Sequence, residues 1–175
     1  PYFGNFMARR YDTRTTTFSP DGRLHQVEYA MECVNSGGTS LAVMFRDGIV
    51  LAVENRKMSK MLDDLIYSEK IYRIHDNMVC ALAGMTADAN VLLQDLRTRS
   101  QEHLLVFGEE KPCEQVVRDC ANSKHIYTMF GGSRPFGVSI LYVGWDTRHG
   151  YQIFGSDPSG NYQAWRATCI GSGSS

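Results

Sequence analysis

The 175-residue sequence lacks the features that would point to a membrane, a secretory route or a nucleic-acid partner. No uninterrupted apolar stretch approaches the roughly 20 residues of a membrane-spanning helix, and residues 1–10 lack the apolar core of a signal peptide. The net charge is only −1, which gives no electrostatic reason to expect nucleic acid or an anionic membrane as a partner. The length favours one globular domain.

The sequence also lacks a cysteine pattern for disulfides or zinc. Its five cysteines are an odd number, and no two of them form a C-x-x-C pair. We therefore expect neither a disulfide framework nor a structural metal site. Free cysteines in apolar neighbourhoods behave as small hydrophobic residues, and they are typical of the reducing cytosol or nucleus.

Short catalytic and cofactor motifs are missing as well. The sequence contains no G-x-S-x-G, no H-E-x-x-H, no phosphate-binding loop and no dinucleotide fingerprint. The five histidines are scattered, and we expect surface or capping roles for them: His25, His75, His103, His125 and His149. We therefore expect no cofactor and no metal.

Strand-like apolar runs joined by turn residues predict two β-hairpins in the first half of the chain. Thr39–Phe45 and Ile49–Val53 are strand-like runs, and Asp47-Gly48 between them is a strong two-residue turn signal. Ile71–Ile74 and Met78–Ala83 form the second pair.

Three segments have helical spacing. The first is Arg23–Asn35, for which Ser19-Pro20 supplies the predicted cap and first turn. The second begins at Thr86, a predicted N-cap, and has Asp88 in its first turn, where a negative charge is favourable. The third begins at Pro112, which suits the first helical position, and Gly131-Gly132 ends it.

Strands resume after the helices, at Val138–Val143, at Tyr151–Phe154 and across Tyr162–Ile170. Strands on both sides of a helix pair favour an α+β fold, in which two antiparallel sheets have helices outside them.

The most specific pattern in the chain is Phe18-Ser-Pro-Asp-Gly-Arg-Leu-His-Gln-Val-Glu-Tyr-Ala30, which Tyr11-Asp12 precedes and Gly38-Thr39 follows. With Ser68–Ile71, Gly131–Ser139 and Asp157–Tyr162, it resembles the α subunits of the 20S proteasome. The resemblance runs from about Arg9 to Gly171 and implies the N-terminal nucleophile hydrolase sandwich. Three shorter stretches most resemble a single eukaryotic subunit type within that family: Arg10–Thr16, Cys113–Gln115 and Trp165–Ile170.

The resemblance also implies a division of the chain. Residues 1–10 are expected to be a flexible segment or a cloning remnant, residues 11–38 an α-type extension with a gate segment and a helix, and residues 39–175 the sandwich domain. Members of the family continue for several tens of residues beyond the position of Ser175. The sandwich is therefore expected to be incomplete, truncated at its C-terminus.

The family includes threonine peptidases, so Gly38-Thr39 needs to be tested as a processing junction. Aligned with the catalytic β subunits, Gly38 occupies the nucleophile position, Glu54 that of the catalytic aspartate and Lys70 that of the catalytic lysine. A glycine has no group that can attack a carbonyl, and alternation points the Thr39 side chain to the other face of the strand. We therefore expect no catalytic residue, and a threonine peptidase processed before Thr39 is the alternative.

The resemblance implies two non-catalytic sites. The positions that match the family's gate cluster are Tyr11, Asp12, Pro20 and Tyr29, although Thr13 stands where many members have arginine. Lys70 matches a lysine that meets the C-terminal carboxylate of activator tails, a task that suits a compact ammonium group. The plainer alternatives are that Tyr29 packs on its own helix, that Pro20 begins that helix, and that Lys70 is a solvated lysine at a strand end.

The function expected from the resemblance is that of a non-catalytic α-ring subunit in ubiquitin-dependent protein degradation. Its partners would be neighbouring α subunits, the β ring, and the C-terminal tails of a regulatory particle or activator. Nucleic acid, membrane and small-molecule substrates are not expected. The expected location is the cytoplasm and nucleus.

Overall fold

The computed structural model describes residues 16–55, 61 and 70–174. In these residues the helices are α1 at His25–Ser36, α2 at Thr86–Phe107 and α3 at Cys113–Met129. The strands are β1 at Ser40–Met44, β2 at Ile49–Val53, β3 at Ile71–His75, β4 at Met78–Gly84, β5 at Val138–Asp146, β6 at Gly150–Ser156, β7 at Tyr162–Trp165 and β8 at Ala167–Ile170. None of the described helices is long and apolar enough to cross a membrane.

The described strands form two sheets. One has three strands in the order β2-β1-β8, and the other has five in the order β3-β4-β5-β6-β7. All the pairings within them are antiparallel. The α+β fold with two antiparallel sheets and helices, predicted from the sequence, is confirmed.

The five-stranded sheet is covered on both faces, which explains why β4 and β5 are so apolar. Successive side chains of a strand point to opposite faces. Cys80 and Leu82 therefore face helices α2 and α3, in a cluster that includes Leu93. Ala81, between them in sequence, packs with Ala42 of the three-stranded sheet. The sandwich core lies between the two sheets, and the larger apolar cluster lies beneath the helices.

An ion pair joins the N-terminal turn of α2 to the segment before β5. The predicted favourable position of Asp88 is confirmed, but this side chain does more than face the helix dipole. It accepts hydrogen bonds from Arg134 Nη1 and Nη2 at 2.6 and 2.8 Å and from the Gly137 amide at 2.9 Å. The hydrogen bonds from Arg134 are the main cause that lowers the pKa of Asp88 below its ordinary value.

A fully buried lysine lies between α3 and the five-stranded sheet. Lys124 Nζ donates to the Val138 carbonyl at 3.0 Å and to Ser156 Oγ at 2.9 Å, and Ser156 Oγ in turn donates to Tyr142 Oη at 3.3 Å. Burial disfavours the ammonium form and lowers the pKa of Lys124. Burial also raises the pKa of the neighbouring Cys80 thiol to about 12, so that thiol stays protonated and chemically inert.

One prediction on helix caps was wrong, and two were off by a single residue. Helix α1 begins at His25, after Leu24, so Ser19-Pro20 does not cap it. Thr86 is the first residue of α2 rather than its N-cap, which is Met85. Pro112 precedes α3 as its N-cap instead of standing at the first helical position. In all three cases the residue at the N-cap makes no side-chain capping hydrogen bond, so the capping residue types were misleading signals.

Two predictions on strands also required correction. In the first hairpin the Phe45 amide donates to the Gly48 carbonyl at 2.8 Å, so residues 46 and 47 form the tip and Gly48 closes it. The run Tyr162–Ile170 is not one strand. It breaks at Arg166 into β7, which joins the large sheet, and β8, which joins the small one. This break carries the chain from one sheet to the other, next to β1.

Candidate functional site

Three residues that are distant in sequence meet where the two sheets adjoin. Gly38 lies just before β1, Glu54 directly follows β2, and Lys70 directly precedes β3. Lys70 Nζ donates to the Glu54 carbonyl at 2.9 Å, and the Thr39 amide donates to Glu54 Oε2 at 3.0 Å. A Cβ atom added to Gly38 would overlap Lys70 Nζ. The structure therefore brings Gly38, Glu54 and Lys70 together, as the alignment with peptidase subunits predicts.

The backbone around Gly38 is held by the chain that follows β8. The Ser172 amide donates to the Gly37 carbonyl at 2.9 Å, and Thr39 Oγ1 donates to the Ser172 carbonyl at 2.5 Å. Gly171 has φ +95°, and a Cβ there would meet the Gly38 carbonyl oxygen at 2.5 Å. Only glycine allows this approach at Gly171, because other residues disfavour such a φ and would collide with Gly38.

Sequence reasoning did not find this third segment of the site. Gly171–Ser175 reads as a low-complexity end, and such a stretch gives no periodic signal. The available signal was the position of Gly171 directly after a strand, where a tight turn is common. That position does not specify which backbone the turn approaches.

The arrangement provides an ammonium group and a carboxylate but no side-chain nucleophile at position 38. The amide nitrogen of Gly38 lies within the chain, and the Thr39 hydroxyl is engaged with the Ser172 carbonyl. A nucleophilic peptidase needs a hydroxyl or thiol next to its base. The Lys70 ammonium has three donors, and its bond to Glu54 uses one of them. The described site therefore offers a positively charged group with the Glu54 carboxylate close to it.

Of the four residues predicted for the gate, the structure describes Pro20 and Tyr29, while Tyr11 and Asp12 lie outside the described residues. Pro20 occupies the second position of a β-turn in which the Gly22 amide donates to the Ser19 carbonyl at 2.8 Å. Proline is favoured at this position because its fixed φ matches the turn. Tyr29 is on α1, is 45% exposed and stacks on the His25 ring at 6.3 Å.

The structure corrects the plainer alternative for Pro20 and fits the one for Tyr29 in part. Pro20 does not begin the helix, since the turn and Arg23-Leu24 separate it from α1. Tyr29 does contact its own helix neighbour His25, but almost half of its surface remains exposed. The two residues therefore lie in a surface turn and on an accessible helix face, and the contacts described here leave their gating role a prediction.

An unpredicted ion pair links the turn to the helix. The turn ends at Arg23, whose amide donates to Ser19 Oγ at 3.1 Å. Its guanidinium donates from Nε and Nη2 to Glu28 Oε1 and Oε2 at 2.6 and 2.9 Å. This bidentate contact is the largest cause that lowers the pKa of Glu28 and raises that of Arg23. The five-residue spacing is not a standard helical pair, so sequence periodicity could not indicate it.

Comparison with known proteins identifies the family of the chain. A family model described as proteasome subunit matches residues 34–175. A second model, described as the N-terminal signature of the proteasome A subunits, matches residues 11–32. The two matches meet at residue 33, within α1.

Three relatives illustrate the similarity. The proteasome alpha type-4 subunit of Drosophila melanogaster is 59% identical over 94% of this chain and 62% of its own length. The probable proteasome alpha type-3 subunit of Schizosaccharomyces pombe is 55% identical over 96% of this chain and 68% of its own length. The proteasome alpha type-4-A subunit of Arabidopsis thaliana is 48% identical over 94% of this chain and 66% of its own length.

The chain thus spans about two thirds of the length of these relatives. The single eukaryotic subunit type that its three short stretches resemble is type 4, and two of these relatives carry that name. With its N-terminal signature and its sandwich domain both matched, the chain belongs to the proteasome subunit family and is similar to the α-type subunits within it.

Proposed function

We propose that this chain acts as a non-catalytic α-ring subunit of the 20S proteasome core particle. In that role it contributes to ring assembly, to gating of substrate entry and to docking of activators in ubiquitin-dependent degradation. The observation that carries the proposal is the position of the α-type signature. It covers residues 11–32, upstream of Gly38-Thr39, in the segment that a threonine peptidase would remove.

The lack of a nucleophile at Gly38 supports a non-catalytic role. Lys70 and Glu54 have the residue types that tune a threonine nucleophile, yet the ammonium of Lys70 occupies the space where a side chain at position 38 would begin. A side chain at position 38 would have to displace the ammonium, and glycine supplies no hydroxyl or thiol that could attack a carbonyl. The charged groups that remain have no nucleophile to activate, and they can serve binding instead.

The experiment that tests this function is a measurement of the N-terminal residue and intact mass of the subunit from native assembled particles. A chain that retains Tyr11 to Gly38 supports the proposal. A chain that begins at Thr39 would be a processed threonine peptidase and would overturn the proposal. Sequencing the N-terminus directly, rather than measuring mass alone, separates specific processing from accidental trimming.

Gating is assigned to Tyr11, Asp12, Pro20 and Tyr29, which can close the axial channel together with equivalent residues of neighbouring subunits. The surface turn at Pro20 and the exposed position of Tyr29 fit contacts with another chain. Tyr29→Phe removes only the hydroxyl group. We expect particles with this variant to hydrolyse a small fluorogenic peptide faster without activator, and an unchanged basal rate would remove Tyr29 from the gate.

Docking is assigned to Lys70, whose ammonium can pair with the terminal carboxylate of an activator tail. The partly exposed position of Lys70 and its bond to the Glu54 carbonyl fit this role. Particles with Lys70→Met should bind a tail peptide more weakly than particles with Arg148→Met, a matched loss of charge in the exposed turn between β5 and β6. Equal binding by the two variants would argue against docking at Lys70.

The proposed location is the cytoplasm and nucleus, where the proposed ring partners would assemble with the chain. All five cysteines are free thiols, and three of them are buried, which fits a reducing compartment. Imaging of the full-length protein with a fluorescent tag tests this, and exclusive location in an organelle would contradict it.

A further inference from the structure

We propose that Gly38 is a positioning residue for the Lys70 ammonium and thereby sets how tightly the site binds a peptide C-terminal carboxylate. The proposal rests on the docking role of Lys70 proposed above. It assigns a present function to the glycine that replaces the nucleophile. The absent side chain is what admits the ammonium to its position on Glu54.

Lys70 is fixed at its backbone and guided at its tip. The Lys70 carbonyl accepts a hydrogen bond from the Leu82 amide at 3.1 Å, so its main chain belongs to the five-stranded sheet. Its ammonium reaches across to the three-stranded sheet and donates to the Glu54 carbonyl at 2.9 Å. Glu54 is itself fixed, because its amide donates to the Thr39 carbonyl at 2.8 Å. The ammonium therefore has a defined position between two ordered strands.

The space next to Gly38 is what makes this position possible. A Cβ on Gly38 would overlap Lys70 Nζ and would also lie 3.2 Å from the Glu54 carbonyl oxygen. Movement of the Gly38 backbone is restricted, because Gly171 packs closely against its carbonyl group. The Gly37 amide and carbonyl are both hydrogen-bonded, to Val34 and Ser172 at 2.9 Å each.

A side chain at position 38 must therefore displace the atom that moves most cheaply, which is the tip of the flexible Lys70 side chain. Gly38 does not have the positive φ that would disfavour other residues. Gly38→Ala is therefore expected to leave the fold in place while it removes the hydrogen bond from Lys70 to Glu54. The lysine then keeps its charge but loses its fixed position.

Loss of position has a predictable cost for binding. Ordering a long, flexible side chain on binding costs about 0.5–1.5 kcal/mol, which corresponds to roughly a two- to tenfold change in affinity. In the native site the bond to Glu54 has already ordered the ammonium. Gly38→Ala should therefore weaken binding of a carboxylate by roughly two- to tenfold, while Lys70→Met removes the contribution of the ammonium altogether.

The test uses assembled particles that contain the full-length protein in one of four forms: wild type, Gly38→Ala, Lys70→Met or the double variant. The probe is a synthetic activator-tail peptide, made once with a free C-terminal carboxylate and once with an amide. The quantity measured is the ratio of the two dissociation constants, because a general structural disturbance would weaken both peptides alike. Gly48→Ala is the matched control, since a Cβ there meets no atom within 4 Å.

We expect Gly38→Ala to reduce the preference for the free carboxylate, Gly48→Ala to retain it, and the effect of Gly38→Ala to vanish in the Lys70→Met background. If Lys70→Met lowers the preference and Gly38→Ala does not, the positioning role is wrong and docking at Lys70 stands. If Lys70→Met leaves the preference intact, the docking role fails, and this inference fails with it. An effect of Gly38→Ala that persists without Lys70 would also overturn the positioning role.

Discussion

The contact between Asp88 and the segment before β5 allows a quantitative prediction for stability. Asp88 is 7% exposed and accepts three hydrogen bonds, two from Arg134 and one from the Gly137 amide. Asp88→Ala removes all three. The variant keeps the helix, because alanine is the best helix former, so the loss reports on the contact itself.

The size of the effect follows from the surroundings of each partner. The Arg134 side chain is 59% exposed, so water can solvate its freed guanidinium and the ion pair contributes only about 0.2–1 kcal/mol. The Gly137 amide donates within the protein interior, and leaving it unpaired costs about 1–3 kcal/mol. Asp88→Ala should therefore lower the free energy of unfolding by about 1–4 kcal/mol, most of it from the amide.

Urea unfolding of the full-length protein measures this loss. The control is Asp95→Ala on the same helix, where the carboxylate forms an exposed pair with Arg99 at 2.9 Å. That pair is expected to contribute only about 0.3–0.5 kcal/mol. If Asp88→Ala were as mild as Asp95→Ala, the argument from the buried amide would be wrong.

The loss should also depend on pH. The pKa of Asp88 is lowered in the folded state, chiefly by Arg134. The ionised carboxylate therefore contributes its full stabilisation above the ordinary aspartate pKa of 3.8. That stabilisation is lost as the pH falls through the lowered pKa of the folded state. The difference between wild type and Asp88→Ala should therefore be the same at about pH 6 and about pH 5 and shrink only below about pH 4. A difference that shrinks already near neutral pH would assign the effect to another group.

Three further perturbations test other parts of the fold and site. Burial lowers the pKa of Lys124, so between that lowered pKa and the ordinary lysine pKa of 10.5 the unfolded chain binds more protons than the folded one, and the free energy of unfolding should rise with pH. Lys124→Met should flatten this rise in urea unfolding, and an unchanged pH dependence would exclude Lys124 as its source. Gly160→Ala should cost more stability than Gly150→Ala, since both have positive φ but only the first would push a Cβ to 2.8 Å from the Ala121 carbonyl of α3; equal melting temperatures would contradict this. Glu28→Gln removes the charged partner of Arg23, and if the turn at Pro20 helps to close the gate, it should raise basal peptide hydrolysis by assembled particles. Glu32→Gln is the control, and equal rates for the two variants would show that the turn does not take part in gating.

Periodicity and turn chemistry predicted most of the elements correctly, because these signals are local. The hairpins from Thr39 to Val53 and from Ile71 to Ala83 are both present, because strands that are covered on both faces appear in the sequence as short apolar runs between turn residues. Helices α2 and α3 are present because their apolar residues recur at helical spacing. In α2 the buried stripe includes Ala89, Leu92 and Leu96. Their caps were misassigned because cap residues are only a preference, and the packing of the helix decides where it begins.

The features that sequence reasoning missed all depend on contacts across long separations. Nothing local in Tyr162–Ile170 indicates that the chain changes sheets at Arg166. A lysine within an amphipathic helix, such as Lys124, reads as a surface residue, because burial without a charged partner is rare. The convergence of Gly38, Glu54 and Lys70 was predicted, but only because a family resemblance supplied the pairing of segments that local signals cannot provide.

The same site links one residue type, the glycine at position 38, to the position of a charged side chain. Two charged side chains that suit a threonine nucleophile remain beside Gly38, and the Glu54 carboxylate and carbonyl still organise the surrounding chain. A hydroxyl-bearing side chain at position 38 would need the space that the Lys70 ammonium now fills. The nucleophile and this lysine position are therefore mutually exclusive. Under the docking role that we propose for Lys70, a glycine at position 38 therefore does more than omit a nucleophile, since it gives the lysine room for the position on Glu54 in which it would bind a carboxylate.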